Sequence, residues 1–197
     1  MSGDLILRRL REEDRFRLLE WRNQDYVREV FINSDPIDQE IHSSWFDLAL
    51  VSQREFTLIC QWRDQPVGVV RIESWNSEQL LGMWGCYLGE QQVPPGLGAA
   101  LPLLGIEHGF DRLDARKMHA VVLEKNRNML GIHRRLQIPE EGRFVRQLIR
   151  EDGNEIDEIA FGVHKTEWQD LRSKALKLFP SSFRLEFEAC LDSKLVD

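Results

Sequence analysis

A mixed α/β fold, with a central sheet of mixed strand direction and flanking helices, is the class this sequence predicts, and three observations predict it. Short runs rich in β-branched and aromatic residues recur along the chain, as strands require. Two amphipathic stretches precede the main group of those runs. Between Leu80 and Leu123 a strand, a glycine-bearing turn, a helix and a second strand follow one another, a crossover unit whose two strands should lie parallel.

In chain order, Leu5–Leu10 reads as a first strand. Glu12–Asn23 carries Phe16, Leu19 and Trp21 among charges and reads as an amphipathic helix. Asp38–Val51 repeats the pattern with Ile41, Trp45 and Leu48 at i, i+4 and i+7, and Pro36 just upstream suits a helix entrance. Glu55–Trp62 and Val67–Ser74 are strands joined by the turn Arg63-Asp64-Gln65-Pro66, and Leu80–Leu88 is a third. The turn Val93–Ala100 leads into a helix over Ala99–Phe110, with Pro102 expected in its first turn, where proline is tolerated. Lys117–Leu123 is the next strand and Asn128–Leu136 the next helix. Gly142–Arg150 and Glu155–Val163 form a hairpin about Glu151-Asp152-Gly153-Asn154. Lys165–Leu178 reads as a helix ending before Pro180, and Phe183–Ala189 alternates weakly, as an extra strand does. The expected division is a main domain over residues 1–168 and a helical or strand extension over 169–197.

The length of 197 residues suits one core, and 42% hydrophobic with 30% charged residues is ordinary for a soluble globular chain. With 26 basic against 33 acidic residues the net charge is −7, which opposes nonspecific attraction to nucleic acid or an anionic membrane. Cys60, Cys86 and Cys190 lie far apart and form no metal-spaced pair, so neither a zinc site nor a disulfide framework is indicated and no metal is expected. The start MSGDLILRRLREEDRF has no apolar signal core, and no run reaches the roughly 20 apolar residues of a membrane span; a cytoplasmic location is expected.

The turn Val93-Pro94-Pro95-Gly96-Leu97-Gly98-Ala99-Ala100 carries the chemistry most visibly. Gly96 and Gly98 remove side chains where a ligand approaches, and the first amides of the following helix offer donors and a favourable dipole to a phosphate. A dinucleotide fold would place three such glycines after the first strand, and a phosphate-binding P-loop would add a lysine; this chain has neither arrangement.

These residues resemble the GNAT family of N-acetyltransferases, whose signature is Arg or Gln, two residues, Gly, one residue, then Gly or Ala. Gly96 and Gly98 take the small positions, while Val93 replaces the Arg or Gln. The run KMHAVVLEKNRNMLGIHRRLQIPEEG is similar to the family's strand, Asn and Tyr-bearing helix, with Asn126 on the Asn, His133 on the Tyr, and Gln137-Ile138 in place of the closing Gly-Phe. Trp21-Arg22-Asn23, Val27-Arg28, Ile37, Glu40, His42, Trp45 and Phe46 look like the PseH-type acetyltransferases of nucleotide-linked amino sugars, as does the ending with Glu141-Gly142 and Asp157. Ribosomal-protein N-terminal acetyltransferases share much of this layout. The resemblance runs roughly from residue 5 to residue 168.

The resemblance implies a GNAT-like acyl-CoA N-acyltransferase fold, acetyl-CoA as co-substrate, and a small-molecule amine acceptor, a nucleotide-linked amino sugar above all. It implies that Gly96, Leu97, Gly98 and Ala99 cradle the pyrophosphate and that the strand with Cys86, Tyr87 and Leu88 holds the acyl-pantetheine, an amide near Cys86 or Tyr87 serving the oxyanion. Asn126 either bonds the pantetheine arm or caps a helix. His133 either protonates the leaving thiolate or is a helix residue beside Arg134 and Arg135. Glu124 and His42 are candidate bases with plain structural alternatives. Arg22, Arg28, His42 and Trp45 are candidate acceptor contacts, and Arg134 a candidate phosphate contact through its planar fork. Cys86 reads as a small core residue rather than a nucleophile, so direct attack in a ternary complex is expected. The extension after Trp168 either covers the acceptor side or forms a homodimer edge. The alternatives carried are a protein N-terminus or small amine as acceptor, and a noncatalytic acyl-CoA sensor.

Overall fold

The computed structural model describes residues 4–150 and 153–193. Strand β1 (Leu5–Arg9) lies antiparallel to β2 (Glu55–Trp62), β2 to β3 (Gln65–Asn76) and β3 to β4 (Leu81–Leu88). Arg63 and Asp64 close the β2–β3 hairpin with φ of 49° and 65°, left-handed values that match the twist of a tight two-residue connection. Strand β5 (Lys117–Leu123) is parallel to β4, as the crossover requires, and β7 (Glu155–His164) lies antiparallel between β5 and β6 (Glu140–Ile149). The order across the seven-stranded sheet is β1-β2-β3-β4-β5-β7-β6.

Seven helices flank this sheet among the described residues: α1 (Arg15–Asn23), α2 (Asp25–Arg28), α3 (Gln39–Val51), α4 (Leu97–Leu113), α5 (Arg127–Arg135), α6 (Lys165–Leu176) and α7 (Ser181–Asp192). Paired strand residues share a face, so the register separates the sheet's two sides. Val70 and Cys86, Ile72 and Trp84, Ala120 and Phe161, and Val122 and Ile159 point towards α4–α7, where the larger core lies. Val69 and Tyr87, Glu73 and Met83, and Leu123 and Glu158 point the other way. There a smaller cluster of Leu10, Leu18, Trp21, Phe46, Ile59 and Val69 seats α1 and α3.

Several elements depart from the sequence reading. The first helix begins at Arg15, and Glu12–Asp14 form a 3-10 turn. Asp14 is turned inward to accept two 2.7 Å bonds from Arg8 and one from the Arg11 amide, a fully buried pair. The short helix α2 had no counterpart. In α3, Asp38 caps the start by accepting from the Glu40 amide at 2.7 Å, but the stripe Ile41, Trp45, Leu48 is not the core face: Ile41 is 68% and Leu48 72% exposed, while His42 and Phe46 are buried. Pro102 lies in the second turn of α4, where it removes the N–H that would reach the Gly98 carbonyl. Phe183–Ala189 is helical, not a strand: Phe183, Phe187 and Cys190, at i, i+4 and i+7, are buried, and Leu185 is 71% exposed. Helices α6 and α7 enter the same core as α4 through Trp168, Leu171, Phe179, Phe183 and Phe187. The hairpin turn residues Glu151 and Asp152 lie outside the described residues.

Candidate active site

Strands β4 and β5 are neighbours only where Leu81–Met83 faces Lys117–His119. Beyond that point β4 stays paired to β3 as far as Leu88, and β5 to β7 as far as Leu123. The facing edges of Trp84–Leu88 and Ala120–Leu123 therefore carry backbone donors and acceptors without a strand partner. A cavity of about 810 Å³ occupies this opening. Its lining comes from both faces of the sheet: Trp84, Cys86, Ala120, Val122, Met129 and His133 from the α4 side, and Arg22, Phe31, His42, Trp45, Tyr87 and Glu158 from the α1–α3 side. The cavity thus crosses the sheet, joining two chambers at the divergence.

At the far end of β4, Gly96 has φ of 100° and caps α4. A side chain there would meet Phe179 at 3.2 Å as well as backbone strain. The Leu97 amide donates to Pro94 C=O, and those of Ala99 and Ala100 to Gly96 C=O. Among the described residues the Gly98 amide has no partner within the chain, and Leu88 lies 3.3 Å from where a Gly98 Cβ would sit. Gly96, Leu97, Gly98, Ala99 and Leu88 stand outside the cavity's lining, at its β4 end. Gly89 fixes the other side of this end: the Trp21 indole lies where a Gly89 Cβ would be, at 1.9 Å, while its Nε1 donates to Glu90 and Tyr26 Oη donates to Gly89 C=O at 2.6 Å.

Asn126 lines the cavity and also caps α5, its Oδ1 accepting from the Met129 amide at 3.1 Å. Its side-chain NH₂ makes no hydrogen bond among the described residues. His133 is 1% exposed between the Phe161 ring at 4.6 Å and the Trp84 indole at 6.0 Å. Its Nδ1–H donates to Met129 C=O at 2.9 Å, since a carbonyl can only accept. Burial pushes its pKa down to about 4. At neutral pH His133 is therefore an uncharged ring whose buried Nε2, without a partner among the described residues, holds a lone pair rather than a proton to give.

On the α1–α3 side, His42 donates Nε2–H to Arg15 C=O at 2.8 Å, and burial lowers its pKa. Trp45 stands beside it at 5.4 Å between ring centroids. Arg22 lies over the Phe31 ring at 3.6 Å with a buried Nη1 that has no partner among the described residues, and burial lowers its pKa too. Burial raises the thiol of Cys86 to about 12 and moves the phenol of Tyr87 up as well. A thiol held that high does not supply a thiolate nucleophile.

Three further candidates also stand outside the cavity's lining. Glu124 is ion-paired to Arg143 at 2.9 Å. Arg28 donates to Ser34 C=O and pairs with Asp25, which fastens the segment between α2 and α3. Arg134 is exposed and paired with Glu140 at 3.2 Å. Conversely, the sequence reading did not single out Thr57, Arg71, Glu73, Phe31, Met83 or Glu158, all of which line the cavity. The signal for Thr57, Arg71 and Glu73 was strand alternation, since Arg71 and Glu73 are two residues apart and Thr57 is registered opposite Arg71.

Comparison with known proteins accords with this geometry. The model of the acetyltransferase (GNAT) domain matches residues 4–138. No curated protein matches the chain. Similar solved structures include the spermidine N-acetyltransferase from Vibrio cholerae in complex with CoA and spermine, 14% identical over 84% of this chain and 98% of that one, with a TM-score of 0.75. Others are yncA from Salmonella typhimurium with its cofactor acetyl-CoA (14% identity, 82% and 94% coverage, TM-score 0.66) and a GNAT-family acetyltransferase from Streptococcus pneumoniae (20%, 81% and 99%, 0.64). At these identities the likeness to each is one of fold.

Proposed function

The chain belongs to the GNAT acetyltransferase family and is an acetyl-CoA-dependent N-acetyltransferase, and from that premise we propose that its acceptor is a small amine bearing anionic groups, with a nucleotide-linked amino sugar of the PseH type as the favoured class. The observation that carries this reading is Arg22. A guanidinium stays protonated, and one that meets the cavity with a buried Nη1 lacking a partner among the described residues favours an anion arriving with the substrate and opposes a polycation. Trp45, Phe31 and His42 add flat surfaces on which a sugar or base can lie. The competing class is a small polyamine or a peptide N-terminus; it draws on two cavity carboxylates, Glu73, which shares Arg71 with Glu55 at 2.8 Å, and Glu158.

In this reading the acyl-pantetheine lies along the unpaired edge of β4 as a strand would, its pyrophosphate at the Gly96–Ala99 turn and its arm beside the Asn126 amide. The acceptor nitrogen enters from the α1–α3 chamber and attacks the thioester carbonyl. A C–N bond forms, the oxyanion takes a hydrogen bond from a β4 amide near Cys86 or Tyr87, and the C–S bond then breaks to release the thiolate. Transfer is direct, because Cys86 offers no thiolate to carry the acetyl group. His133 contributes a lone-pair acceptor at the α4 side of the opening.

Mass-spectrometric assay of nucleotide-linked amino sugars, spermine and peptide amines with acetyl-CoA tests the acceptor. The expected result is acetylation of the nucleotide sugar, with Arg22→Met raising the acceptor KM on the order of 30-fold, about 2 kcal/mol, while the acetyl-CoA KM is unchanged. Acetylation of only peptides or spermine, or an Arg22→Met enzyme with unaltered acceptor KM, overturns the assignment.

A further inference from the structure

The attacking amine reaches this site largely as an ammonium ion, so a group in the acceptor chamber must remove a proton before the nitrogen can attack. Most of the chamber's ionisable groups are already committed. His42 is anchored by its Nε2–H on Arg15 C=O and burial disfavours a proton on its other nitrogen, Glu73 is paired with Arg71, Tyr87 is held protonated by burial, and Cys86 lies on the α4 side. Arg22 is a cation, and His133 belongs to the opposite chamber. Glu124, the carboxylate nearest the end of β5, is bound to Arg143 outside the cavity.

Glu158 differs from all of these. It sits on β7, registered opposite Leu123 of β5, and so points to the α1–α3 side one strand from the β4–β5 opening. It lines the cavity, is half-buried, and its carboxylate has no hydrogen bond or ion pair among the described residues. Its own surroundings are apolar: Leu123 faces it from β5, with Val121 on the same side, and Phe144 is registered opposite it on β6.

Resting on the N-acetyltransferase reading above, we infer that Glu158 is the carboxylate that receives the acceptor ammonium and takes its proton. The carboxylate accepts one proton from R–NH₃⁺ to give R–NH₂ and a neutral acid, which later passes that proton to solvent. The amine lone pair forms the C–N bond as the C–S bond breaks. The second proton lost by nitrogen goes to the departing thiolate, giving CoA–SH and the acetamide. Burial raises the pKa of Glu158, which moves a carboxylate in the direction a base needs.

The test uses Glu158→Gln, which keeps the shape and removes the base, with whichever amine the unaltered enzyme acetylates. The expected result is a kcat lower by a factor on the order of 100 to 10,000 near neutral pH with acetyl-CoA affinity by calorimetry unchanged. The defect should narrow as pH rises towards the amine's own pKa, because free amine no longer needs a base. Glu158→Asp, which keeps a carboxylate on a shorter stem, should fall between the two and retain the unaltered enzyme's acidic limb. An E158Q rate within about threefold of the unaltered enzyme across the pH range removes Glu158 from the reaction while leaving the acetyltransferase reading intact. Failure of the unaltered enzyme to acetylate any amine would remove both.

Discussion

The two faces of the sheet are built on different terms. On the α4 side a continuous apolar core runs from Leu5 through Trp84 and Phe161 to Phe187, and the features open to a ligand in the proposed reading are backbone: the Gly98 amide and the bare edge of β4. On the α1–α3 side the packed cluster is small, and the surface over the cavity is made of side chains from separate elements, Arg22 of α1, Phe31 of a loop, Trp45 of α3 and Glu158 of β7. A cofactor common to a family can be held by main chain, which tolerates changes such as Val93 at the usual Arg or Gln position. An acceptor has to be recognised by side chains, and those can change one by one without disturbing the core.

The comparison is open to measurement, beginning with stability. Phe187→Ala, in the helical hairpin behind α4, should cost about 3–5 kcal/mol in urea unfolding, whereas Leu48→Ser on the exposed side of α3 should stay within about 0.5 kcal/mol. Equal costs would mean that the acceptor-side helices are as deeply built into the fold as α7. Acid provides the next effect. The folded pKa of both His133 and His108 is lowered to about 4 by burial, so the unfolded chain binds more protons between pH 6.5 and 4, and stability must fall as pH falls through that window. Going from pH 7 to pH 5 should cost roughly 2 kcal/mol for each histidine, and His133→Phe should recover its share. The smallest change is Gly96→Ala, at about 1–2 kcal/mol for a left-handed residue, with weaker acetyl-CoA binding by calorimetry. Undiminished binding would take the pyrophosphate away from this turn.

Much of the α4 side was legible because its signals are local. Proline and glycine mark the turn at Gly96, and a helix between two apolar runs fixes the parallel pair. The acceptor side was less legible because its geometry depends on register and rotation. Helix α3 has apolar residues on more than one face, so periodicity alone does not choose between Ile41 with Leu48 and His42 with Phe46. Glu158 shares the chamber with Arg22 only after β7 has inserted beside β5, a pairing that no neighbouring residue announces. Arg28 looked like a ligand contact because nothing local foretells its bond to Ser34. The alternation of Phe183, Leu185 and Phe187 fits a strand as well as a helix, and the decision rested with the core that Cys190 also enters.

The short meeting of β4 and β5 leaves the sheet as two part-sheets, one of β1–β4 and one of β5–β7, with a missing rung between them. A thioester lying in that gap would supply the rung, so ligand binding and completion of the fold become one event. By mass action, a ligand at about 100 times its Kd adds roughly 2.7 kcal/mol to the unfolding free energy. The amides within Trp84–Leu88 that face the gap rather than β3 would record it directly, exchanging with solvent hydrogen while the gap is open and slowing when it is filled.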